Sequence, residues 1–390
     1  MYVMDEGTPL KNFMRVGTAA IAGALAISLL AGCTDDGGAP TTAPDAPANG
    51  GANAAEPADP NAPTLAGEFS GAGASTQEQS MQAWIASFQN QHPNVTVNYD
   101  PSGSGAGRTQ FLAGGVLWAG TDNVLTEDEV AQSLAVCGPE GSIDLPVYIS
   151  AIAVAFNVPG VDSLNLSSDN IAKLFTGEIT NWNDPAIAAD NPGVTLPDLA
   201  VTPVHRSDSS GTTNNFISWL HATAPVAFPH SASSTWPLEG GESAAGTSGV
   251  VNVVSQTPGA VTYSDLGAIG GLGRASIRVG DNWEAPSAEG AARAVEVSPL
   301  VEGRHQYDLA VNLDRTTTEA GAYPLVLVSY IAVCLHYQNE ADGQFVRSFI
   351  TYITSDSAQQ TSATVADSAP ITPTMRDQIH SSVQQITYGS

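Results

Sequence analysis

The sequence has 390 residues, enough for a targeting segment followed by one large domain or two smaller ones. It is strongly acidic, with 39 Asp and Glu against 12 Lys and Arg and a formal net charge of -27. No basic stretch suited to a phosphate backbone occurs, so nucleic-acid binding is excluded. The overall field also repels anions, so any anion site must depend on local donors and one or two arginines.

The N-terminal segment has the pattern of a targeting signal. Lys11 and Arg15 precede an apolar run over residues 16–30, which is too short for a stable membrane-spanning helix. Leu30-Ala31-Gly32-Cys33 follows and resembles the lipobox of bacterial lipoproteins, whose cysteine is lipidated and becomes the first residue of the mature chain. We therefore predict a lipoprotein signal peptide over residues 1–32 and lipidation of Cys33. A generic signal peptide with a chance cysteine is the alternative.

The next segment lacks the residues needed for a core. Residues 34–66 are rich in Ala, Pro, Gly, Asp and Thr and almost devoid of large apolar side chains, so they cannot bury enough surface to fold. We predict that residues 33–66 form a disordered tether after the lipidated cysteine. Cys137 and Cys334 then remain as an even pair in an oxidising compartment. The sequence leaves two possibilities open, which are a disulfide between them or two buried free thiols.

Strand and helix patterns alternate from residue 65 onward. Strands are predicted over residues 65–69, 95–99, 116–120, 147–156, 199–204 and 260–263; helices over 81–88, 108–112, 171–175, 250–254, 344–353 and 357–365; an apolar run over 325–335; and a loop over 181–191. Thr126 and Glu129 have the spacing of a capping box. This alternation predicts an α/β fold with a mostly parallel sheet and ligands at the carboxyl ends of the strands.

Residues 205–216 join an apolar run to a helical pattern and form a candidate anion-binding loop. The free N–H groups and the positive dipole end of the helix would face a ligand, and Gly211 lets the backbone approach it closely. The guanidinium of Arg206 can donate two hydrogen bonds to the oxygens of an anion. Taken alone, an ordinary Ser/Asn-rich helix cap explains the segment as well. A nucleophilic triad of His205, Asp208 and Ser210 is disfavoured, because adjacency in sequence is a poor predictor of triad geometry.

Several kinds of catalytic chemistry lack their sequence signals. The chain contains no phosphate-binding loop of the Gly-x-x-x-x-Gly-Lys-Ser/Thr type and no Gly-x-Ser-x-Gly elbow. The seven histidines show no close metal-ligand spacing. A metal centre therefore has no support, and we predict neither a metal nor a cofactor.

Several short motifs occur in an order that resembles one known family. They are residues 71–75 (Gly-Ala-Gly-Ala-Ser), 103–107 (Gly-Ser-Gly-Ala-Gly), 120–122 (Gly-Thr-Asp), 175–185, 206–212 and 321–324. Together they resemble the phosphate-binding lipoproteins of bacterial phosphate-specific ABC transporters, in the type II periplasmic binding protein group. The resemblance covers about residues 67 to 375 and implies a two-domain α/β fold with the ligand cleft between the domains. Domain I would comprise residues 67–151 and 306–390, and domain II residues 152–305.

The resemblance also implies a set of phosphate-binding residues. They are Ser75, Thr76, Ser104 and Asp122 from domain I, and Arg206, Ser210, Gly211 and Thr212 from domain II, with Asp208 orienting Arg206. Thr76 departs from the family, which often has an aromatic residue there, so its N–H is kept and the ring is lost. Ionised Asp122 would accept the hydrogen bond of protonated phosphate, whereas sulfate has no such proton.

The resemblance thus predicts a monomeric, extracytoplasmic phosphate receptor that is not an enzyme. It would be lipid-anchored to the cell membrane and deliver inorganic phosphate to the membrane permease of an ABC transporter. Two alternatives remain at this stage. One is a receptor for another oxyanion, such as sulfate or molybdate, and the other is a secreted phosphate-ester hydrolase that uses a hydroxyl such as Ser210.

Overall fold

The computed structural model describes residues 65–389. The predicted signal peptide over residues 1–32, Cys33 and all but the last two residues of the predicted tether lie outside the described residues. Among the helices within residues 65–389, none combines the length and the apolar character needed to cross a membrane.

Strands and helices alternate along most of the described chain. The strands are β1 (Gly67–Gly73), β2 (Val95–Asp100), β3 (Trp118–Thr121), β4 (Ser142–Phe156), β5 (Ser163–Leu166), β6 (Thr202–Arg206), β7 (Glu242–Ala244), β8 (Ala260–Asp265), β9 (Gly273–Val279), β10 (Asn282–Glu284), β11 (Val326–Cys334), β12 (His336–Tyr337) and β13 (Thr387–Tyr388). The helices are α1 (Glu78–Gln91), α2 (Ser104–Leu112), α3 (Glu127–Cys137), α4 (Ser168–Thr176), α5 (Pro185–Asp190), α6 (Gly211–Thr223), α7 (Gly246–Gln256), α8 (Ala288–Glu296), α9 (Glu340–Ile353), α10 (Asp356–Ala366) and α11 (Pro373–Val383). Short 3-10 turns cover Ser75–Gln77 and Leu266–Ala268.

One mixed sheet organises these elements. Its strand order is β2-β1-β3-β11-β4-β8-β6-β7, with β5, β9 and β10 attached through β9. β1 pairs in parallel with β2 and β3, and β6 pairs in parallel with β7 and β8. Between these groups, β11 and β4 run antiparallel to their neighbours. We call the part around β1, β2 and β3 the first lobe, and the part around β5 to β10 the second lobe.

Strand β4 belongs to both lobes. Every residue of Ser142–Phe156 is buried, as expected for an apolar run covered on both faces. Its first part pairs with β11, and its second part pairs with β8 and β9. The register between β11 and β4 shifts between Ser329 and Tyr330, so the ladder is irregular at that point. The run predicted as a central strand is therefore the strand that joins the lobes.

Each lobe has its own aromatic core beside the shared strands. In the first lobe Phe69 stacks on Phe345 with ring centroids 4.1 Å apart, and Trp118 packs against the same ring at 5.6 Å. In the second lobe Phe216 stacks on Tyr263 at 4.3 Å. Large buried rings contribute most of the apolar surface that such cores remove from water. Both lobes are therefore packed well enough to carry a site on rigid elements.

Local signals set the starts of the helices nearest the site. The predicted capping box is confirmed, because the amide of Glu129 donates to Thr126 Oγ1 at 3.2 Å and Glu129 accepts from the Thr126 amide at 2.8 Å. Helix α6 starts after Ser210, whose hydroxyl accepts from the amide of Thr213 at 3.2 Å. Such caps satisfy N–H groups that have no partner inside the helix.

The disulfide left open by the sequence is present in the structure. Cys137, at the end of α3, is bonded to Cys334, at the end of β11, with the two Cα atoms 4.9 Å apart. The bridge spans 197 positions in the sequence. It therefore links an early part of the chain to a segment that returns much later.

Two expectations about secondary structure are wrong. Residues 181–191 are not all loop, because helix α5 begins with Pro185 after Asp184, whose side chain accepts from the amide of Ala186 at 2.8 Å. The sheet is also not mostly parallel. The two parallel groups are joined by β4 and β11 at the centre of the sheet. These two strands run antiparallel to each other and to the strands beside them.

Candidate anion-binding site

Loops at the carboxyl ends of several strands meet where the two lobes face each other. β1 leads into the turn at Ser75–Gln77, β2 leads to α2, β3 leads to Asp122, and β6 leads to α6. The amide of Gly105 donates to the carbonyl oxygen of Ser209 at 3.0 Å, which joins the lobes directly. Helix N-termini carry free N–H groups and the positive end of the helix dipole. The junction is therefore suited to an anion.

Asp122 lies at the centre of this junction and is 3% exposed. Its Oδ1 accepts hydrogen bonds from Thr76 Oγ1 at 2.6 Å and from Ser329 Oγ at 2.7 Å. Its Oδ2 accepts from Thr212 Oγ1 of the second lobe at 3.2 Å. Hydroxyl groups from both lobes thus converge on one carboxylate.

The main chain of Asp122 is held as firmly as its side chain. Its amide donates to Ser104 Oγ at 3.1 Å. Its carbonyl oxygen accepts from Asn215 Nδ2 at 2.6 Å, which is another bond between the lobes. Because backbone and carboxylate are both held while the lobes are together, the direction in which Asp122 can accept a further hydrogen bond is fixed.

The ionisation of Asp122 is governed by opposing effects. Burial raises the pKa of Asp122 above its ordinary value, while the bonds from Thr76 and Ser329, the charge of Arg206 and the bond from Thr212 act to lower it. Every group that touches the carboxylate oxygens donates a hydrogen bond, which is the arrangement that an ionised carboxylate requires. The site thus contains a buried acceptor suited to a ligand that brings its own proton.

Arg206 and Asp208 form a bidentate ion pair beside the carboxylate. Arg206 Nε donates to Asp208 Oδ1 at 2.7 Å and Nη2 donates to Oδ2 at 2.5 Å. Burial acts to raise the pKa of Asp208, but the bonds and charge of Arg206, with the Gly246 amide, hold that pKa below its ordinary value. Within residues 65–389 the guanidinium donates only to Asp208, so Nη1 keeps its N–H groups for a ligand.

Glycine at 211 allows the lobes to meet. A Cβ atom on Gly211 would lie 2.6 Å from the Cβ of Asp122 and 2.7 Å from Ser104 Oγ, distances that real side chains do not reach. The start of α6 can therefore approach the Asp122 loop only without a side chain. Ser210, just before it, uses its oxygen as the helix cap, and within residues 65–389 its hydroxyl proton has no acceptor.

The structure places all the predicted ligand residues at this junction. These are Ser75, Thr76, Ser104, Asp122, Arg206, Asp208, Ser210, Gly211 and Thr212. The His205 ring is occupied elsewhere, since it stacks on Trp236 and its Nδ1 lies 3.0 Å from the carbonyl oxygen of Arg206. Across the described part of the chain, no group of three or more His, Cys, Asp or Glu side chains is arranged to hold a metal ion.

Sequence reasoning missed three residues of the junction. Ser329 comes from β11, Asn215 from the second turn of α6, and Thr247 from the start of α7. Thr247 donates its amide to Ser75 Oγ at 3.1 Å, and the two hydroxyls share a hydrogen bond of 2.9 Å. Gly246-Thr247-Ser248 at a helix start was a usable signal for Thr247. Ser329 lies within an apolar strand, where no local pattern marks it.

Two α/β lobes that share central strands and enclose a polar, donor-lined junction define a ligand-binding protein of the type II periplasmic class. Residues 55–357 match the PBP superfamily domain. The phosphate-binding protein PstS 2 of Mycobacterium tuberculosis is 32% identical over 73% of this chain and 78% of its own length. The chain therefore belongs to the PBP superfamily and, within it, to the PstS family of phosphate-binding proteins.

Two further comparisons agree with this assignment. The phosphate-binding protein PstS 3 of Mycobacterium leprae is 32% identical over 83% of this chain and 86% of its own length. The crystal structure of a phosphate-binding protein from Stenotrophomonas maltophilia superposes with a TM-score of 0.62 at 20% identity, covering 81% of this chain and 94% of that one. At that identity the superposition concerns the fold alone, and it confirms the predicted two-domain α/β class.

Proposed function

We propose that this protein is an extracytoplasmic receptor that binds inorganic phosphate and delivers it to the membrane permease of an ABC transporter. The names of its PstS relatives support phosphate as the ligand. The observation that carries the proposal is the buried carboxylate of Asp122 placed among hydroxyl and amide donors. A site built only to attract anions would have no use for a negative charge at its centre.

The proposed ligand set draws on both lobes. In the first lobe the donors are the hydroxyl of Ser75, the amide of Thr76 and the hydroxyl of Ser104, with Asp122 as the acceptor. In the second lobe the donors are Arg206, the hydroxyl of Ser210, and the amides at the start of α6, including those of Gly211 and Thr212. Asp208 orients Arg206 through the bidentate pair. Helix dipoles and aligned amides hold the anion against the acidic overall field.

Asp122 supplies the selectivity. Phosphate near neutral pH still carries a proton on oxygen, and an ionised carboxylate accepts that hydrogen bond. Sulfate has no proton to donate, so its oxygen would meet a buried negative charge without a bond. Leaving a buried charged group unpaired costs on the order of 1 to 3 kcal/mol or more. That difference discriminates between two anions of the same shape.

Closure of two domains around the ligand is part of the proposal. Domain I comprises residues 67–151 and 306–390, and domain II comprises residues 152–305. The chain crosses between them through β4 and again near residue 305, so these segments act as the hinge. The closed form is the one that the permease recognises.

The cellular setting follows from the N-terminal sequence. A signal peptide over residues 1–32 directs export, Cys33 carries the lipid, and residues 33–66 tether the receptor to the cell membrane. The receptor acts as a monomer, and it needs neither a metal nor a cofactor. The proposal includes no catalytic step.

Calorimetry on the purified receptor tests the ligand. We expect tight phosphate binding with one site per chain and little competition from sulfate. Asp122→Asn should erode the phosphate-over-sulfate preference by at least tenfold, since one buried hydrogen bond to a charged group is lost. Asp128→Asn removes the same charge from an exposed position on α3 and serves as the matched control. Equal preference in the two variants would contradict the role given to Asp122.

The same samples separate the alternatives. Sulfate or molybdate binding more tightly than phosphate would identify a different oxyanion receptor. Release of phosphate from a chromogenic phosphate ester would identify a hydrolase. No turnover and a phosphate preference are the results that the proposal requires.

A further inference from the structure

The two oxygens of the Asp122 carboxylate have unequal surroundings. Oδ1 accepts two short bonds, from Thr76 at 2.6 Å and from Ser329 at 2.7 Å. Oδ2 accepts one longer bond, from Thr212 at 3.2 Å. A carboxylate oxygen has two lone pairs, so Oδ1 is saturated and Oδ2 keeps acceptor capacity.

A second contact fixes the direction of the Ser329 hydroxyl. Gln77 Nε2 donates to Ser329 Oγ at 2.7 Å, and the same amide donates to the carbonyl oxygen of Tyr330 at 3.0 Å. Because the Ser329 oxygen receives that bond, its single proton must point at an acceptor, and Asp122 Oδ1 at 2.7 Å is much nearer than the carbonyl oxygen of Thr121 at 3.5 Å. Gln77 and Ser329 are both fully buried, so water does not compete for either group.

The Thr76 hydroxyl bonds directly to the carboxylate of Asp122. Its hydroxyl has Asp122 Oδ1 as its sole hydrogen-bond partner among residues 65–389, and its side chain is 5% exposed. Bonds of 2.5 to 2.7 Å between a hydroxyl and a carboxylate are of the strong, charge-assisted kind, roughly twice as strong as neutral ones.

We propose that Thr76 and Ser329 are positioning residues that saturate Oδ1 of Asp122 and leave Oδ2 as the single oxygen that accepts the proton of bound phosphate. This inference rests on the proposed function and assigns the selectivity of the site to these two hydroxyls as well as to the carboxylate. The hydroxyls also stabilise the ionised form of Asp122 against the effect of its burial.

The test measures the titration of Asp122 and the anion preference in the same variants. Thr76→Val and Ser329→Ala each remove one hydroxyl, and Thr76→Ser keeps the hydroxyl and provides a rescue. Carbon-13 NMR of labelled aspartate, assigned with Asp122→Asn, follows the carboxylate through a full pH titration without any ligand. Calorimetry with inorganic phosphate and with sulfate follows the preference over the same range.

We expect the pKa of Asp122 to rise and the phosphate-over-sulfate preference to fall in the variants that lack a hydroxyl. Each hydroxyl removed should raise the pKa of Asp122, because a hydrogen bond that stabilises the ionised carboxylate is lost. Protonated Asp122 can donate to sulfate, so the phosphate-over-sulfate preference should fall on the order of tenfold and should be lost at a higher pH than in the wild type. Thr76→Ser should behave like the wild type in both measurements.

Unchanged titration of Asp122 in both Thr76→Val and Ser329→Ala would overturn the inference, even if phosphate binds tightly. Failure of the wild type to bind phosphate would instead overturn the proposed function, and the ligand-free titration would still decide whether the hydroxyls act on Asp122. Circular dichroism verifies that each variant is folded. If one of the two does not fold, the other carries the same comparison.

Discussion

Asn215 of helix α6 donates its side-chain amide to the main-chain oxygen of Asp122 at 2.6 Å, so the second lobe holds the backbone at the centre of the first. The same amide donates to the carbonyl oxygen of Gly211 at 2.9 Å, and Asn215 Oδ1 accepts from Arg315. Asn215 is therefore oriented on both its amide and its oxygen side. Its bond to Asp122 can exist only while the lobes are together, so it stabilises the closed form alone.

Replacing Asn215 should weaken ligand binding more than folding. Asn215→Ala removes the bond between the lobes, and we expect phosphate affinity to fall about three- to tenfold, because one net hydrogen bond is worth about 0.5 to 1.5 kcal/mol. Asn214→Ala is the matched control, since within the described chain the Asn214 side chain makes no hydrogen bond. Calorimetry measures both, and equal losses in the two variants would rule out a specific role for Asn215.

A side chain at position 105 should weaken phosphate binding. A Cβ atom there would lie 2.0 Å from Ser209 Oγ across the junction, so Gly105→Ala opposes closure. Overpacking of this kind costs about 1 to 3 kcal/mol, which predicts a loss of phosphate affinity of about tenfold or more. Gly271→Ala adds the same methyl group where nothing lies within 4 Å. The idea fails if the two variants bind phosphate equally well.

The disulfide should contribute to stability without affecting the ligand. Replacing Cys137 and Cys334 together with serine frees a loop of 197 positions in the unfolded chain. We expect the free energy of unfolding to fall by about 2 to 4 kcal/mol. Guanidinium denaturation measures that change, and calorimetry should find phosphate affinity unchanged. A thiol assay on the denatured, unreduced wild type should detect no free Cys137 or Cys334, and a positive result would contradict the bridge.

Acid should stabilise the fold through Asp265. Burial raises the pKa of Asp265 to about 7, against the opposing bonds from Tyr148 and the Gly267 amide. In the unfolded chain its pKa returns to the ordinary 3.8, so between these values the folded state binds more protons. The free energy of unfolding should therefore decrease as the pH rises towards about 7 and level off above it.

Asp265→Asn isolates this effect. Between pH 5 and pH 7, the melting temperature of the variant should fall much less than that of the wild type. Part of the slope should remain, because burial and the charge of Asp308 raise the pKa of Asp144 to about 7 as well. Thermal melts at closely spaced pH values measure the difference. Identical pH profiles for wild type and variant would contradict the raised pKa.

The parts of the fold governed by local sequence were predictable. The capping box at Thr126 and Glu129 and the buried run of β4 both depend on side chains close together in the chain. Helix α5 was missed although Asp184 and Pro185 form a good start signal, because its 6 residues are too few to show a helical period. The antiparallel β11 could not be read from its sequence, since strand direction depends on which distant strands it joins.

The candidate site likewise contains residues that the sequence marks and residues that it does not. Glycine and hydroxyl motifs around Ser75, Ser104 and Ser210 are marked by spacing and by resemblance to a family. Ser329 and Asn215 reach Asp122 only through contacts 207 and 93 positions apart in the chain. No periodicity or motif identifies a residue whose role depends on such a distant partner.

The register shift in β11 has a mechanical consequence. Because β4 is buried along its whole length and pairs with strands of both lobes, neither lobe can lose this strand without the other losing it too. The lobes should therefore unfold in one cooperative transition, and bending is confined to places where the ladder is already interrupted. One such place lies between Ser329 and Tyr330, beside the hydroxyl that holds Asp122. Any bending at this joint would therefore also shift the Ser329 hydroxyl that holds Asp122.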